Sequence, residues 1–277
     1  MSEIAASSID WHVEWHGEPQ KPVLALVHGF SGSLHSWEYL LLDLEKKFHV
    51  LLIDLPGHGR TPLPTEKDFN LVRLGEALGQ LIASAAEGPA FVCGYSMGGR
   101  IGLHTALYAP EAVKGLALLG ASPGITDATQ REERLRSDLE LAKNIREKGM
   151  AWFADYWSSL PLFASQKSLA EPVQRKLRDS RLANNPGGLA WCLEHFSAGM
   201  QEDLHPKLFE LQCPVLLLAG SLDKKYCNSN VSFEHFVKGY MTAKRVEIHG
   251  AGHAAHIEAP DLTAQEIVEF FTPLIAE

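Results

Sequence analysis

The sequence predicts an α/β fold with a mostly parallel central sheet flanked by helices. Short apolar runs such as Phe91-Val92-Cys93 and Val215-Leu216-Leu217-Leu218 alternate with longer segments of helical spacing. This alternation is typical of a parallel sheet whose strands are covered on both faces by crossover helices. At 277 residues, the chain is long enough for one large α/β domain or two small ones, with a substantial core.

Each element follows from the same pattern, taken in chain order. The apolar runs predict seven strands, at 10–16, 23–28, 48–53, 89–94, 113–120, 214–220 and 244–249. Apolar residues at helical spacing predict helices at 34–46, 68–86, 96–108, 228–240 and 261–275. Helices between consecutive strands supply the crossovers that parallel pairing requires.

The segment between the strand ending near Gly120 and the one beginning at Pro214 has no strand pattern and is longer than a crossover requires. It predicts a helical cap, inserted after the sixth strand of the sheet. The expected division is a core of residues 1–120 and 206–277 and a cap of residues 121–205.

The charges of the predicted cap favour a solvated helical face, because residues 130–181 carry eleven basic and eight acidic side chains. Its aromatic residues leave a second interpretation open, a lid that closes over a pocket. These aromatic residues are Trp152, Phe153, Tyr156, Trp157 and Phe163.

Composition excludes several classes of function. The formal net charge of -9 disfavours nucleic acid or an anionic membrane surface as the main partner. The sequence has neither a run of ~18 apolar residues nor a signal-peptide pattern in its first ten residues, which predicts a cytoplasmic protein without membrane insertion. Four cysteines without CxxC spacing predict reduced thiols, and thirteen histidines without HExxH spacing predict no metal site. No cofactor and no obligate protein partner is expected.

A nucleophile elbow is indicated by Gly-Tyr-Ser-Met-Gly at 94–98, after an apolar strand and before a helix. In such an elbow a strained strand-to-helix turn lifts a serine hydroxyl above the sheet. Gly94 and Gly98 leave room for the turn. Ser96 is therefore predicted as the nucleophile, and the alternative is a serine that only caps the helix.

A reactive serine needs an imidazole base, and the imidazole needs a carboxylate to fix its tautomer. In folds with this elbow, the acid and then the base follow the serine along the chain. Asp223 follows the apolar run at 214–220, whereas no carboxylate directly follows the strand before it. His253 lies in a glycine-containing loop after the last strand, so Asp223 and His253 are predicted as acid and base. His249 and His256 are interpreted as loop histidines with local hydrogen bonds.

Two backbone N–H groups are predicted to form an oxyanion hole. In this fold one donor follows an early strand and the other belongs to the residue after the nucleophile, which indicates Phe30 and Met97. The turn Asp-Leu-Pro-Gly-His-Gly, which begins at Asp54, resembles one common in α/β-hydrolases. Its glycines predict a backbone turn, so Asp54 and His58 are interpreted as structural.

Arg100 lies four residues after Ser96, on the same face of the helix and near its N-terminal end. A guanidinium beside the site adds to the positive helix end, which a pocket for neutral esters does not need. An anionic substrate explains it. A salt bridge to a nearby carboxylate is the alternative.

The motifs of this chain resemble those of the 2-succinyl-6-hydroxy-2,4-cyclohexadiene-1-carboxylate synthases of menaquinone and phylloquinone biosynthesis, in the α/β-hydrolase superfamily. The resemblance covers nearly the whole chain from about residue 23, and the motifs of the predicted cap are its most specific part. The matching stretches are Gly-Tyr-Ser-Met-Gly-Gly-Arg at 94–100, His-Gly-Phe-Ser-Gly at 28–32, Asp-Leu-Pro-Gly-His-Gly at 54–59, Gln-Arg-Glu-Glu-Arg-Leu-Arg-Ser-Asp at 130–138, Leu-Pro-Leu-Phe-Ala-Ser at 160–165, Arg-Leu-Ala-Asn-Asn at 181–185 and Ala-Gly-His-Ala-Ala-His at 251–256.

The resemblance implies a lyase that eliminates pyruvate from 2-succinyl-5-enolpyruvyl-6-hydroxy-3-cyclohexene-1-carboxylate by triad-assisted proton abstraction. The implied partner is thus a small-molecule polycarboxylate. Tyr156 competes with Trp157 for the family's tryptophan position. The implied substrate-binding residues are Tyr95, Arg100, Arg134, Trp157, Phe163 and Arg181.

Two other classes of function compete with this one. The first is a serine carboxylesterase or carbon–carbon bond hydrolase acting on an anionic substrate. The second is a ligand-binding receptor, against which the complete set of triad residues argues. The sequence leaves open which quinone is made downstream, the oligomeric state, and whether the cap is closed without ligand.

Overall fold

A computed structural model describes residues 9–66 and 69–275 of the chain. The predicted helix start at 68 and the N-terminal stretch 1–8 lie outside these residues. In the described part, seven strands form a single sheet. They are β1 (Val13–His16), β2 (Val23–Val27), β3 (His49–Ile53), β4 (Ala90–Tyr95), β5 (Val113–Leu119), β6 (Val215–Gly220) and β7 (Ala243–Ile248).

The sheet has the strand order β1-β3-β2-β4-β5-β6-β7. Strand β1 pairs antiparallel with β3, and the remaining neighbours pair in parallel. The predicted mostly parallel α/β sheet is therefore confirmed. The first strand is shorter than predicted, because β3 provides ladder partners only for Val13 to His16.

Nine helices accompany this sheet in the described residues, together with several short 3-10 turns. The predicted helix at 34–46 begins as a 3-10 turn, Leu34–Trp37. The predicted helix at 228–240 begins earlier, at Lys224, because the side chain of Asp223 accepts the N–H of Tyr226 and caps it. The helices are α1 (Glu38–Leu44), α2 (Leu71–Ala86), α3 (Met97–Tyr108), α4 (Ala128–Ser159), α5 (Glu171–Leu182), α6 (Pro186–Phe196), α7 (Lys224–Val237), α8 (Ala255–Glu258) and α9 (Pro260–Phe271).

Helices cover both faces of the sheet. On one face Leu78 of α2 and Ile101 of α3 join a buried cluster with alternate strand residues such as Ala25. On the other face Leu40 of α1 and Phe271 of α9 pack in a second cluster. Because both faces are buried, the strands read as continuous apolar runs in the sequence.

Helices α4, α5 and α6 lie between β5 and β6. Helices α4 and α6 share a small apolar cluster of their own, which includes Ile145, Phe153 and Leu189. The inserted helices thus follow the fifth strand of the described chain, so the predicted position after the sixth strand is wrong; five of the seven strands predicted from the sequence precede residue 121. Helix α4 is interrupted at Gly149, whose φ is 76°. An L-residue with a side chain rarely adopts that conformation.

No helix of residues 9–66 and 69–275 combines the length and apolar character needed to cross a membrane. Within the same residues, no group of three or more His, Cys, Asp and Glu side chains is arranged to hold a metal ion. The four cysteines, Cys93, Cys192, Cys213 and Cys227, are buried free thiols.

Candidate active site

Ser96 occupies a sharp turn between β4 and α3. Its φ of 52° and ψ of -107° lie in a region that non-glycine residues rarely adopt. The turn is tight because glycines permit close contacts: a Cβ on Gly98 would lie 2.2 Å from the carbonyl oxygen of Val27, and one on Gly94 would lie 2.4 Å from that of Gly98. The chain therefore presents the half-buried serine hydroxyl at the carboxyl edge of the sheet.

Asp223 follows β6 at the start of α7, and His253 lies in the loop that follows β7; both reach Ser96. His253 Nε2 lies 3.1 Å from Ser96 Oγ, and His253 Nδ1 lies 2.7 Å from Asp223 Oδ2. A carboxylate beside Nδ1 favours the tautomer in which Nδ1 carries the proton and Nε2 accepts the serine hydroxyl. Gly120 allows the approach, since a Cβ there would lie 3.0 Å from the imidazole ring.

The backbone N–H groups of Phe30 and Met97 have no hydrogen-bond acceptor among the residues that the structure describes. Met97 is the first residue of α3, so its N–H has no intrahelical partner. No described residue accepts the N–H of Phe30 in a hydrogen bond. Both residues line the cavity above Ser96, where two free donors can stabilise a developing negative charge.

The peptide groups next to Phe30 are held by two buried histidines. His28 Nδ1 donates to the carbonyl of Gly29 at 2.8 Å, and the N–H of Ser31 donates to His58 Nε2 at 3.1 Å. Burial and the neighbouring His28 ring lower the pKa of His58 to about 3, so its ring is neutral and can accept. The His58 turn therefore orients the loop that carries Phe30.

Asp54 links this loop to the following turn. It accepts the N–H groups of Leu34 at 2.8 Å and Arg60 at 2.9 Å, and contacts His12 Nδ1 at 2.8 Å. Burial opposes its ionisation, but these hydrogen bonds outweigh burial and lower the pKa of its carboxyl.

A cavity of about 540 Å³ opens above Ser96, between the sheet edge and the inserted helices. Its wall carries charged, polar and aromatic side chains from both. Residues of the sequence-predicted site in this wall are Phe30, Tyr95, Ser96, Met97, Arg100, Arg134, Trp157, Phe163 and His253.

The guanidinium of Arg100 is bonded only to neutral acceptors among the described residues. It donates to the carbonyl of Phe196 at 2.8 Å and to Gln201 Oε1 at 3.1 Å. Burial and the nearby Arg134 lower its pKa to about 10, which still leaves it charged at neutral pH. The salt bridge that would explain Arg100 without a ligand is not formed in the described part of the chain.

Arg134 makes a different set of contacts. Its Nε donates to Asp138 Oδ2 at 2.8 Å, and the same oxygen accepts the hydroxyl of Ser197 at 2.7 Å. The two terminal nitrogens of Arg134 make no hydrogen bond to described residues, which leaves its outer edge available to a ligand carboxylate.

Arg181 does not line the main cavity. It lies in an adjoining chamber of about 60 Å³, bonded to Ser158 and, at 2.9 Å, to Gln166 Oε1. Its guanidinium lies 5.5 Å from the ring centre of Phe163. Because Phe163 lines both chambers, it forms part of the wall between Arg181 and the cavity. The three arginines implied by the resemblance therefore do not converge in this structure.

The aromatic residues of the site form a connected group. Trp157 lies 5.3 Å from Phe30 and 5.6 Å from Phe163, and Tyr95 lies 5.2 Å from the His253 ring. Tyr156 is exposed, stacks on Trp152 and is not part of the cavity wall. Of the two, Trp157 lines the cavity.

Sequence reasoning missed several residues that shape the cavity. Gln201 holds Arg100 and donates to the carbonyl of Pro123 at 2.8 Å, but no motif surrounds it. Tyr226 lies 4.8 Å from the His253 ring. Its place three residues after Asp223, in the helix that Asp223 caps, is a signal that could have found it.

The sequence and the structure of this chain are both similar to those of known α/β-hydrolase-fold proteins. The family model described as alpha/beta hydrolase fold matches residues 22–260. The structure of MenH from S. aureus matches with a TM-score of 0.89 at 28% sequence identity, covering 95% of this chain and 98% of that chain. Fold and site thus define an enzyme of the α/β-hydrolase fold.

Sequence relatives specify the family. The 2-succinyl-6-hydroxy-2,4-cyclohexadiene-1-carboxylate synthase of Escherichia coli O1:K1 / APEC is 33% identical over 246 residues, 88% of this chain and 92% of the relative. A Bacillus subtilis (strain 168) protein, provisionally named as the same synthase, is 33% identical over 271 residues, 97% of each chain. The chain belongs to the 2-succinyl-6-hydroxy-2,4-cyclohexadiene-1-carboxylate synthase family of α/β-hydrolase-fold proteins.

Proposed function

We propose that this enzyme eliminates pyruvate from 2-succinyl-5-enolpyruvyl-6-hydroxy-3-cyclohexene-1-carboxylate to form 2-succinyl-6-hydroxy-2,4-cyclohexadiene-1-carboxylate. The observation that carries the proposal is the placement of Ser96 Oγ 3.1 Å from His253 Nε2, in a cavity lined by Arg100. Arg100 has no carboxylate partner in the described part of the chain. A site for a neutral ester has no use for that charge. The names of the relatives support the same reaction.

The substrate carries three carboxylates, one each on its succinyl, enolpyruvyl and ring carbons. Arg100 and the free edge of Arg134 bind two of them and orient the ring over Ser96. Arg100 is suited to this role because its neutral partners do not compensate its charge. Binding at two fixed points converts the reaction into a step between oriented groups.

Proton abstraction begins at the triad. His253, oriented by Asp223, accepts the proton of Ser96 Oγ, and the serine oxygen takes the proton from ring carbon 2 beside the succinyl carbonyl. The electron pair of that bond moves toward the carbonyl and forms an enolate. The N–H groups of Phe30 and Met97 stabilise its oxygen, because donors aimed at a charge that develops in the reaction lower the barrier.

Elimination follows from the enolate. Its electron pair re-forms the succinyl carbonyl and makes the double bond between carbons 2 and 3, while the 3,4 double bond shifts to carbons 4 and 5. The bond between carbon 5 and oxygen breaks, and enolpyruvate leaves. Ser96 passes the proton that it took from carbon 2 to the enolpyruvate, which becomes pyruvate, and the imidazolium of His253 returns the original serine proton to Ser96 Oγ. No acyl-enzyme forms.

Residues 121–205 act in this proposal as a cap over a core of residues 1–120 and 206–277. Trp157 and Phe163 close the apolar side of the ring site, and Tyr95 packs beside the imidazole. Arg181 reaches a substrate carboxylate only when the shared wall at Phe163 opens; without ligand it anchors that wall through Ser158 and Gln166.

The test is to supply the enolpyruvyl substrate and follow pyruvate and the cyclohexadiene product by mass spectrometry. Equal amounts of both products, formed without an acyl-enzyme burst, are expected. Neutral p-nitrophenyl esters serve as the comparison substrates. Rapid ester turnover with a burst, and no pyruvate from the enolpyruvyl compound, would instead establish a serine esterase.

A further inference from the structure

Helix α7 forms a polar wall of the main cavity that the sequence did not indicate. Lys225, Ser229 and Ser232 all line the cavity. Their spacing of four and three residues places them on one face of the helix. The capping contact of Asp223 with the N–H of Tyr226 fixes where this helix starts. The residue that orients the catalytic imidazole therefore also positions this wall.

Lys225 is a charged member of the wall that has no carboxylate partner among the described residues. Its Nζ lies 5.3 Å from the ring centre of Tyr226. The Tyr226 ring in turn lies 4.8 Å from the ring of His253. Lys225 is exposed, and its ammonium lies over an aromatic ring that neighbours the proposed base.

The cations of the cavity wall differ in whether a carboxylate is paired with them. Arg100 and Lys225 are not paired with a carboxylate in the described residues, while Arg134 shares its charge with Asp138. Arg181 lies outside this cavity. The cavity therefore holds three cations and one carboxylate, and its excess positive charge is set by Arg100 and Lys225.

We propose that Lys225, assisted by the hydroxyl of Ser229, binds a carboxylate of the substrate at a subsite on α7. This inference rests on the proposed function, in which the substrate carries three carboxylates. Arg100 and Arg134 take two of them, and Lys225 takes the third while the wall at Phe163 is closed. An ammonium suits this place because it donates hydrogen bonds to a carboxylate from several directions, whereas a guanidinium requires a planar approach.

The direct test compares Lys225→Gln with Lys224→Gln. Lys224 is the neighbouring exposed lysine on α7 and does not line the cavity, so it controls for the loss of one positive charge on the helix. We expect Lys225→Gln to raise KM by about three- to ten-fold with little change in kcat, and Lys225→Arg to recover part of the loss. Lys224→Gln leaves KM within about two-fold of the unsubstituted enzyme. Equal KM values for Lys225→Gln and Lys224→Gln would overturn the proposal.

A binding measurement separates this inference from the reaction itself. Calorimetry with benzene-1,2,4-tricarboxylate and with benzoate needs no turnover. Lys225→Gln is expected to weaken tricarboxylate binding by about three- to ten-fold relative to Lys224→Gln, and to change benzoate binding much less. If both ligands lose the same affinity, Lys225 is not a carboxylate subsite. An enzyme that releases no pyruvate but shows the expected difference refutes the proposed reaction and retains the subsite.

Discussion

The carboxyl ends of the central strands (here the sheet edge, with Ser96, Asp223 and His253) and the part of the cavity wall that the inserted helices form (here the cap wall, with Arg134) hold their side chains in different ways. At the sheet edge His253 is 2% exposed, and hydrogen bonds to Ser96 and Asp223 fix both of its ring nitrogens. In the cap wall the side chain of Arg134 is 37% exposed and bonded through one nitrogen. The difference teaches that the proposed triad is buried and bonded at the carboxyl ends of the core strands, whereas substrate recognition is shared with a more exposed side chain on the inserted helices.

The largest expected effect comes from removing the proposed base. Ser96→Ala should lower kcat for pyruvate release by about 10³-fold or more, because the triad then has no oxygen to take the ring proton. Binding of benzene-1,2,4-tricarboxylate should persist, since the cations remain. Ser168→Ala, in an exposed cap turn, is the control and should be fully active. Near-normal turnover of Ser96→Ala would refute the assignment.

The rigidity of the sheet edge is tested next with two glycines of α3. Gly98→Ala places a methyl group 2.2 Å from the Val27 carbonyl oxygen, so it should lower the free energy of unfolding by about 1–3 kcal/mol and reduce turnover. Gly102→Ala meets only side-chain atoms, Leu116 Cδ1 at 3.3 Å and Val92 Cγ1 at 3.5 Å, and should be nearly neutral. Urea unfolding of both variants measures the difference. Equal stabilities would show that the turn is not tightly constrained.

Acid pH should destabilise the fold through His58, because its buried ring accepts the N–H of Ser31 only while it is neutral. A histidine with a lowered folded-state pKa stabilises the fold above the unfolded pKa of about 6.5 and loses that contribution as pH falls toward 3. Between pH 7 and 5 the loss should be on the order of 1–2 kcal/mol. His58→Gln should flatten the pH dependence of unfolding in urea by that amount. If His58→Gln left the pH dependence of the free energy of unfolding unchanged, the ring of His58 would not be buried in its neutral form.

The smallest effect is expected in the cap wall. Arg134→Ala should raise KM by roughly ten-fold, about 1.4 kcal/mol, since its partly exposed guanidinium binds one substrate carboxylate. The control is Arg136→Ala, an exposed arginine on the same helix. Steady-state kinetics on the enolpyruvyl substrate measure both variants. A KM for Arg134→Ala that matches the control would remove Arg134 from the substrate site.

Motifs with a local geometric cause were predictable from the sequence. The strand, the two glycines and the helix around Ser96 specify one turn, because only glycine allows the backbone contacts at 94 and 98. Chain order then led to Asp223 and His253. The inserted segment was predicted as helical, and its place between the strands predicted at 113–120 and 214–220 was predictable too, whereas the pairing order of the strands came only from the structure.

Residues that meet only through folding were not predictable. Gln201 is separated from Arg100 by 101 positions, so no local pattern joins them. The same holds for Lys225, whose role depends on a cavity formed by distant segments. Arg181 shows the converse: its motif matched the synthase family, but its contacts with Ser158 and Gln166 lie in a separate chamber.

The sequence by itself determined the fold class, the elbow and the order of the proposed triad, because turns, periodicity and glycine requirements are local properties of the backbone. The tertiary structure decided which cations share the cavity with Ser96 and which lie behind an aromatic wall. Charge and burial at that scale depend on the packing of cap against core, since partners are set by distance in space and not by position along the chain.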